Sequence, residues 1–136
     1  MNNKLILEIV TPYGLVLKEE VDEIVAPGAE GEFGVLAGHI SFVTMLKIGM
    51  LIYKLNGSEY YVFINSGYAE VSADRVLILA DSAERAEDID IERAKAAMKR
   101  AEEMLRKGKG DIDFTRAQAA LQRALTRLEV AQKGKQ

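Results

Sequence analysis

Between Asp81 and Asp88 the repeat of apolar residues lengthens from two to nearly four, and one layer of regular structure cannot hold both periods. Upstream, Leu5, Leu7 and Ile9 point one way while Lys4, Ile6 and Glu8 point the other, until Thr11-Pro12-Tyr13-Gly14 turns the chain. That is the pattern of a half-buried strand and a turn. Similar segments follow over 14–18, 21–26, 31–36, 39–46, 50–55, 60–65, 68–72 and 76–80. Eight or nine short strands at this spacing predict a sandwich or flattened barrel. Asn56-Gly57 supplies the positive backbone dihedrals of a primed hairpin turn, and Asn65-Ser66-Gly67 reads as a turn between strands.

Downstream, Ile91, Ala94, Met98, Ala101 and Leu105 fall on one helical face, and Gly108-Lys109-Gly110-Asp111 stops the helix. A second helix is expected with Asp113 near its amino cap and Phe114, Ala117, Leu121, Leu125 and Leu128 as its apolar stripe. Both stripes are thin and alanine-rich. Helices built this way approach closely but bury little surface, at ~25 cal/mol per Å² of apolar area. The predicted fold is therefore α+β: a β-sandwich over residues 1–84, a linker over 85–88, and an antiparallel two-helix hairpin over 89–136.

Charge divides at the same place. Residues 1–88 hold 6 Lys and Arg against 14 Asp and Glu, a balance of −8, and residues 89–136 hold 12 against 7, a balance of +5, which together give the net −3. A field of one sign on the second module favours partners of the opposite sign. There is no cysteine, so disulfides, thiolate metal sites and cysteine nucleophiles are excluded. Met1-Asn2-Asn3-Lys4 followed by Leu5, Ile6, Leu7 and Glu8 predicts neither a signal peptide nor a membrane span. Membrane association is expected only through partner proteins.

No catalytic residue is predicted. His39 is the single histidine, which rules out a two-imidazole zinc site, and no G-x-S-x-G elbow is present. Gly28, Gly31 and Gly34 have the spacing of a loose phosphate loop, but no GK[ST] follows, so they read as tight bends at a sheet edge. The arginines of the second module are more informative. Arg93 and Arg100 lie seven residues apart, and Arg116, Arg123 and Arg127 lie within about 40° of one another at 100° per residue. Such a stripe is either the solvated face of an amphipathic helix or an anion site for a carboxylate-rich partner or a nucleotide phosphate. A nucleic-acid module is the competing class; it lacks aromatic residues interleaved with the arginines.

Three segments in this order resemble the epsilon subunit of the bacterial F-type ATP synthase, over essentially the whole chain. Glu30-Gly31-Glu32-Phe33-Gly34-Val35-Leu36-Ala37-Gly38-His39 is similar to that family's E-G-E-x-G-x-x-x-G-H, and Leu79-Ala80-Asp81-Ser82-Ala83-Glu84 accompanies it. Ile89-Asp90-Ile91-Glu92-Arg93-Ala94 resembles its nucleotide motif, an aliphatic residue followed by Asp-x-x-Arg-Ala. Ala37 and Ser41 depart from it, standing where proline is frequent, so loop stiffness is where this chain differs. The resemblance implies a sandwich of about ten strands at the foot of the rotating central stalk, with Glu30, Glu32 and His39 contacting the gamma subunit and the loops of the c-ring. It implies no required cofactor. It also implies a mobile hairpin that, folded down, binds ATP as a regulatory ligand through Glu84, Ile89, Asp90, Arg93, Ala94, Arg100, Arg123 and Arg127. Extended, the hairpin would oppose an acidic segment of a catalytic beta subunit and restrain ATP hydrolysis. A helix over 89–107 would be about 28 Å long, and two helices in line would reach roughly 70 Å. The implied location is the cytoplasmic face of the bacterial inner membrane, reached through partner subunits.

Overall fold

The computed structural model describes residues 4–108 and 110–136. Eight strands come first: β1 (Leu5–Thr11), β2 (Gly14–Val21), β3 (Glu23–Gly28), β4 (Gly31–Leu36), β5 (Phe42–Leu46), β6 (Gly49–Leu55), β7 (Ser58–Val71) and β8 (Arg75–Arg85). A single 3₁₀ turn, Ala86–Asp88, then leads to α1 (Ile91–Lys107) and α2 (Asp111–Gly134). The strands form one hydrogen-bonded sheet in the order β2-β1-β8-β7-β5-β3-β4, with β6 paired to both β3 and β7. Every pair is antiparallel except β1 with β8, which run parallel from Ile6↔Arg75 to Val10↔Leu79. The sheet closes over a core of Leu5, Leu7, Ile9, Ile24, Val35, Leu51, Ile64 and Ile78, all fully buried.

The strand count is eight, within the eight or nine read from spacing and fewer than the about ten that the resemblance implied, because β7 and β8 are long. Residues 60–65 and 68–72 belong to one strand. Its first half pairs with β6 from Ser58 to Ile64 and its second half with β5 from Gly67 to Val71, so β7 bends from one layer of the sandwich into the other. Ser66 and Gly67 carry the bend at φ 55° and 139°. Asn65-Ser66-Gly67 is thus not a turn between strands: β8 continues opposite it, with Asn65↔Ser82 and Gly67↔Ala80. Position 67 admits only glycine, since a Cβ there would stand 2.0 Å from the Leu79 carbonyl oxygen. Gly28 and Gly31 close the two-residue β3–β4 turn.

Helix α1 begins two residues later than Ile89 because Asp90 caps it, accepting a hydrogen bond from the Arg93 amide at 3.1 Å. It ends on Gly108, left-handed at φ 55°, whose amide donates to the Met104 carbonyl. The rest of the expected stop includes Lys109, outside the described residues. In α2 the cap position is Gly110, and Asp113 lies inside the first turn rather than at the cap. The helix seam also differs from expectation. Ala94 and Ala101 on α1 and Ala117 and Ala124 on α2 are buried at seven-residue intervals, while Phe114 and Leu125 are about half exposed. Methyl groups on a heptad spacing let the two backbones approach closely and leave the bulkier side chains at the margins.

The hairpin lies against the sandwich through a second, smaller core. Phe63 from β7, Ile89 just before α1, and Val130 and Ala131 from α2 are buried together, with Ile48, Met50, Tyr61, Ala86 and Ile91 around them. Strand alternation explains the division: Val62 and Ile64 face the main core, and Phe63 between them faces the hairpin. At Gly134 the contact is so close that a Cβ would stand 2.5 Å from that of Ala86.

Candidate functional site

The junction between the docked hairpin and the sandwich encloses a cleft of about 320 Å³, lined by Glu84, Asp90, Arg93, Ala94, Ala97, Arg100, Ala120, Arg123 and Arg127. Helical spacing builds its walls. Arg93, Ala97 and Arg100 stand at i, i+4 and i+7 on α1, and Ala120, Arg123 and Arg127 at i, i+3 and i+7 on α2, so alanines form a floor between rows of guanidinium groups. The sandwich contributes Glu84 from the end of β8, and Asp90 stands at the amino cap of α1.

Four arginines face two carboxylates here, a formal excess of +2. Arg127 is engaged twice. Its Nε donates to Glu84 Oε1 at 2.5 Å, and its guanidinium carbon lies 4.4 Å from the centroid of the Phe63 ring. Asp90 Oδ1 is occupied by the Arg93 amide. Among the described residues, Arg93, Arg100 and Arg123 take part in no ion pair. Three permanently charged guanidiniums converging on a partly enclosed space repel one another, and a polyanion placed among them removes that cost while filling planar, forked donors. The volume falls within the range of small-ligand clefts. A larger depression of about 580 Å³ on the outer hairpin surface has Glu129 as its only charged lining residue and offers no such convergence.

Seven of the eight residues carried over for a nucleotide therefore line one cleft. Ile89 does not; it is buried in the docking core. Ala97 and Ala120 were missed, though the seven-residue arginine spacing implied small residues between. Phe63, which braces Arg127, was also missed. Its signal was the run Val62-Phe63-Ile64, since consecutive apolar residues mark a strand covered on both faces. Arg116 is exposed and lies outside the cleft.

Glu30, Glu32 and His39 are not brought together. Glu30 lies in the β3–β4 turn and Glu32 near the start of β4, whereas His39 follows the other end of that strand. The His39 ring packs edge-on against Phe42 with centroids 5.4 Å apart, and Phe42 packs likewise on Phe33. Glu30 instead borders an apolar face that sequence reasoning missed. Met45, Tyr68, Leu79 and Val10 are successive cross-strand partners on β5, β7, β8 and β1, and the first three are 56%, 52% and 43% exposed. With Val43 at 67%, they form an outward apolar stripe of the kind that marks a protein contact. Among the described residues no group of three or more His, Asp or Glu side chains is placed to hold a metal ion.

These features define a platform-and-arm protein: a sandwich with one apolar outer face, carrying a helical arm docked over an arginine-lined cleft. The family description "ATP synthase, Delta/Epsilon chain, beta-sandwich domain" matches residues 4–86, and "ATP synthase, Delta/Epsilon chain, long alpha-helix domain" matches residues 87–132. The chain is 58% identical to the ATP synthase epsilon chain of Nitratidesulfovibrio vulgaris (strain DP4), covering 96% of this chain and 97% of that one. It is 55% identical to the ATP synthase epsilon chain of Geotalea uraniireducens (strain Rf4), covering 98% and 97%. A chain in the cryo-EM structure of the Euglena gracilis mitochondrial ATP synthase, OSCP/F1/c-ring in rotational state 1, superposes with a TM-score of 0.82 at 28% identity, covering 97% of this chain and 83% of that one. The chain belongs to the ATP synthase delta/epsilon family and aligns nearly end to end with its bacterial epsilon chains.

Proposed function

We propose that the chain is a noncatalytic central-stalk subunit of a proton-translocating F-type ATP synthase. In this reading residues 1–84 couple rotation, residues 85–88 are the linker, and residues 89–136 bind ATP when docked and restrain ATP hydrolysis when extended. The observation that carries it is the construction of the cleft. Its four arginines come from both helices, and the sandwich adds Glu84, which holds Arg127, so the lining is complete only while the arm is down. A ligand that binds only this form stabilises it by RT ln(1 + [L]/Kd), about 2.7 kcal/mol at 100 times Kd. Docking rests on a small core, so a bias of that size is enough to shift it.

The apolar stripe of Val43, Met45, Tyr68 and Leu79 is suited to a gamma subunit, with Glu30 at its margin, while Glu32 and the separate His39 region remain for c-ring loops. The +5 balance of residues 89–136 suits an acidic segment of a beta subunit in the extended state. Among the described residues no helix is long and apolar enough to cross a membrane, and the proposed position is peripheral, on the cytoplasmic face of the bacterial inner membrane through partner subunits. A nucleic-acid module is disfavoured because the four cleft arginines converge on a junction instead of forming an outward row. The test is calorimetric titration of the full chain with MgATP. Arg93→Ala should weaken binding about tenfold or more, a charge-assisted contact being worth ~1.5–3 kcal/mol, while Arg116→Ala leaves it unchanged. Equal losses would reduce the cleft to a diffuse cationic surface.

A further inference from the structure

We propose that Phe63, a sandwich residue outside the cleft lining, is a positioning residue for the nucleotide site and the element that ties ligand binding to docking of the arm. The inference rests on the ATP reading of the cleft. Phe63 and Glu84 are direct cross-strand partners on β7 and β8, so their side chains share the face turned toward α2. Arg127 descends onto that pair. The guanidinium carbon lies over the Phe63 ring, 4.4 Å from its centroid, and Glu84 accepts from Nε.

A free arginine side chain has extensive rotamer freedom, and a ligand that recruits it must order it. Here the ring lies beneath the guanidinium and the carboxylate holds its Nε, so the side chain is already ordered. The terminal Nη groups are left as the donors available to the cleft that Arg127 lines. This arrangement exists only in the docked arm. Phe63 is fully buried against Val130, which stands three residues after Arg127 on the same helix, so ring, helix and guanidinium come into register together. A phosphate bound by Arg127 therefore favours the docked state through a side chain it never touches. The ring adds directionality that a merely apolar residue of the same size would lack, because the attraction comes from its π face.

The test replaces the full chain's Phe63 by 4-fluoro-, 3,5-difluoro- and 3,4,5-trifluorophenylalanine. This nearly isosteric series weakens the π face stepwise and retains the buried volume. MgATP affinity is measured by calorimetry, and docking by energy transfer between labels on the arm and the sandwich. The expected result is a graded loss reaching about three- to tenfold at the trifluoro ring, with the labels still reporting a docked arm in the absence of nucleotide. A purely structural role for Phe63 would not produce a gradient. Unchanged affinity across the series, with the unmodified chain binding MgATP, overturns the positioning role and leaves the nucleotide site standing. Failure of the unmodified chain to bind MgATP overturns both.

Discussion

Val130→Ala should separate docking of the arm from folding of the sandwich. Val130 is fully buried and shares its environment with Phe63, Ile89 and Ala131, the small core that joins the modules. Removing two carbons forfeits about 0.8 kcal/mol each in transfer free energy plus a cavity term, so docking should weaken by roughly 1.6–2.5 kcal/mol. That is a ~15- to 70-fold shift toward the undocked arm. Helix propensity does not offset it. Alanine favours the helix by some tenths of a kcal/mol over valine, a gain that cancels from the docking equilibrium to the extent that α2 stays helical in the undocked arm. The natural chain has no cysteine, so dyes can be placed at two introduced cysteines, one at exposed Lys107 on the arm and one at exposed Asp74 on the sandwich. Single-molecule energy transfer then reads the docked fraction. Ile78→Val is the control: Ile78 is fully buried in the main core, and its loss should cost ~0.5–1.5 kcal/mol of sandwich stability with docking unchanged. If both variants lower the docked fraction alike, or Val130→Ala lowers the melting temperature of the sandwich as much as Ile78→Val does, the two cores act as one unit and the reasoning fails.

Gly67→Ala places a Cβ 2.0 Å from the Leu79 carbonyl oxygen at φ 139°, and strain plus overpacking should cost ~3–5 kcal/mol, seen as a large drop in thermal midpoint or a loss of cooperative folding. Asp22 accepts the Asn56 amide at 2.8 Å and pairs with Lys4 at 3.0 Å, and these contacts hold its carboxyl below the usual carboxylate range. A lowered folded-state pKa contributes stability present above the unfolded value and lost as pH falls through the folded one; Asp22→Asn should flatten that acid limb in denaturant titrations from pH 5 down to 2. Truncation after Glu87 should leave a cooperatively melting sandwich, because the main core draws only on residues of the eight strands. The same truncation uncovers Phe63, Met50 and Ile48, so it should also raise binding of an apolar dye, and a truncated chain with no such rise would contradict the docking core.

What the sequence disclosed follows from how local each determinant is. Asn56-Gly57 was readable as a primed hairpin because two adjacent residues carry the whole signal, and they adopt φ 52° and 86° with Leu55↔Ser58 closing the ladder. Asn65-Ser66-Gly67 carries equally turn-like chemistry, yet the strand runs on. The difference lies in β8, long enough to remain paired on both sides of the bend, and no window around residue 66 contains that information. The same logic accounts for the helices. Apolar periodicity located α1 and α2, but the choice of alanine over leucine as the contact seam depends on how closely the two backbones approach, and only the pair decides that. Seven of the residues expected around a nucleotide were legible through family resemblance, whereas their convergence needs β8, the amino cap of α1 and both helices in one place. Phe63 was hidden for a further reason. Between Val62 and Ile64 it looks like one more core residue, and only the arrival of α2 on the outer face turns it into the floor beneath Arg127. The residues hardest to read from this chain are therefore those at the junction of its two modules, where a side chain's role depends on the other module being docked.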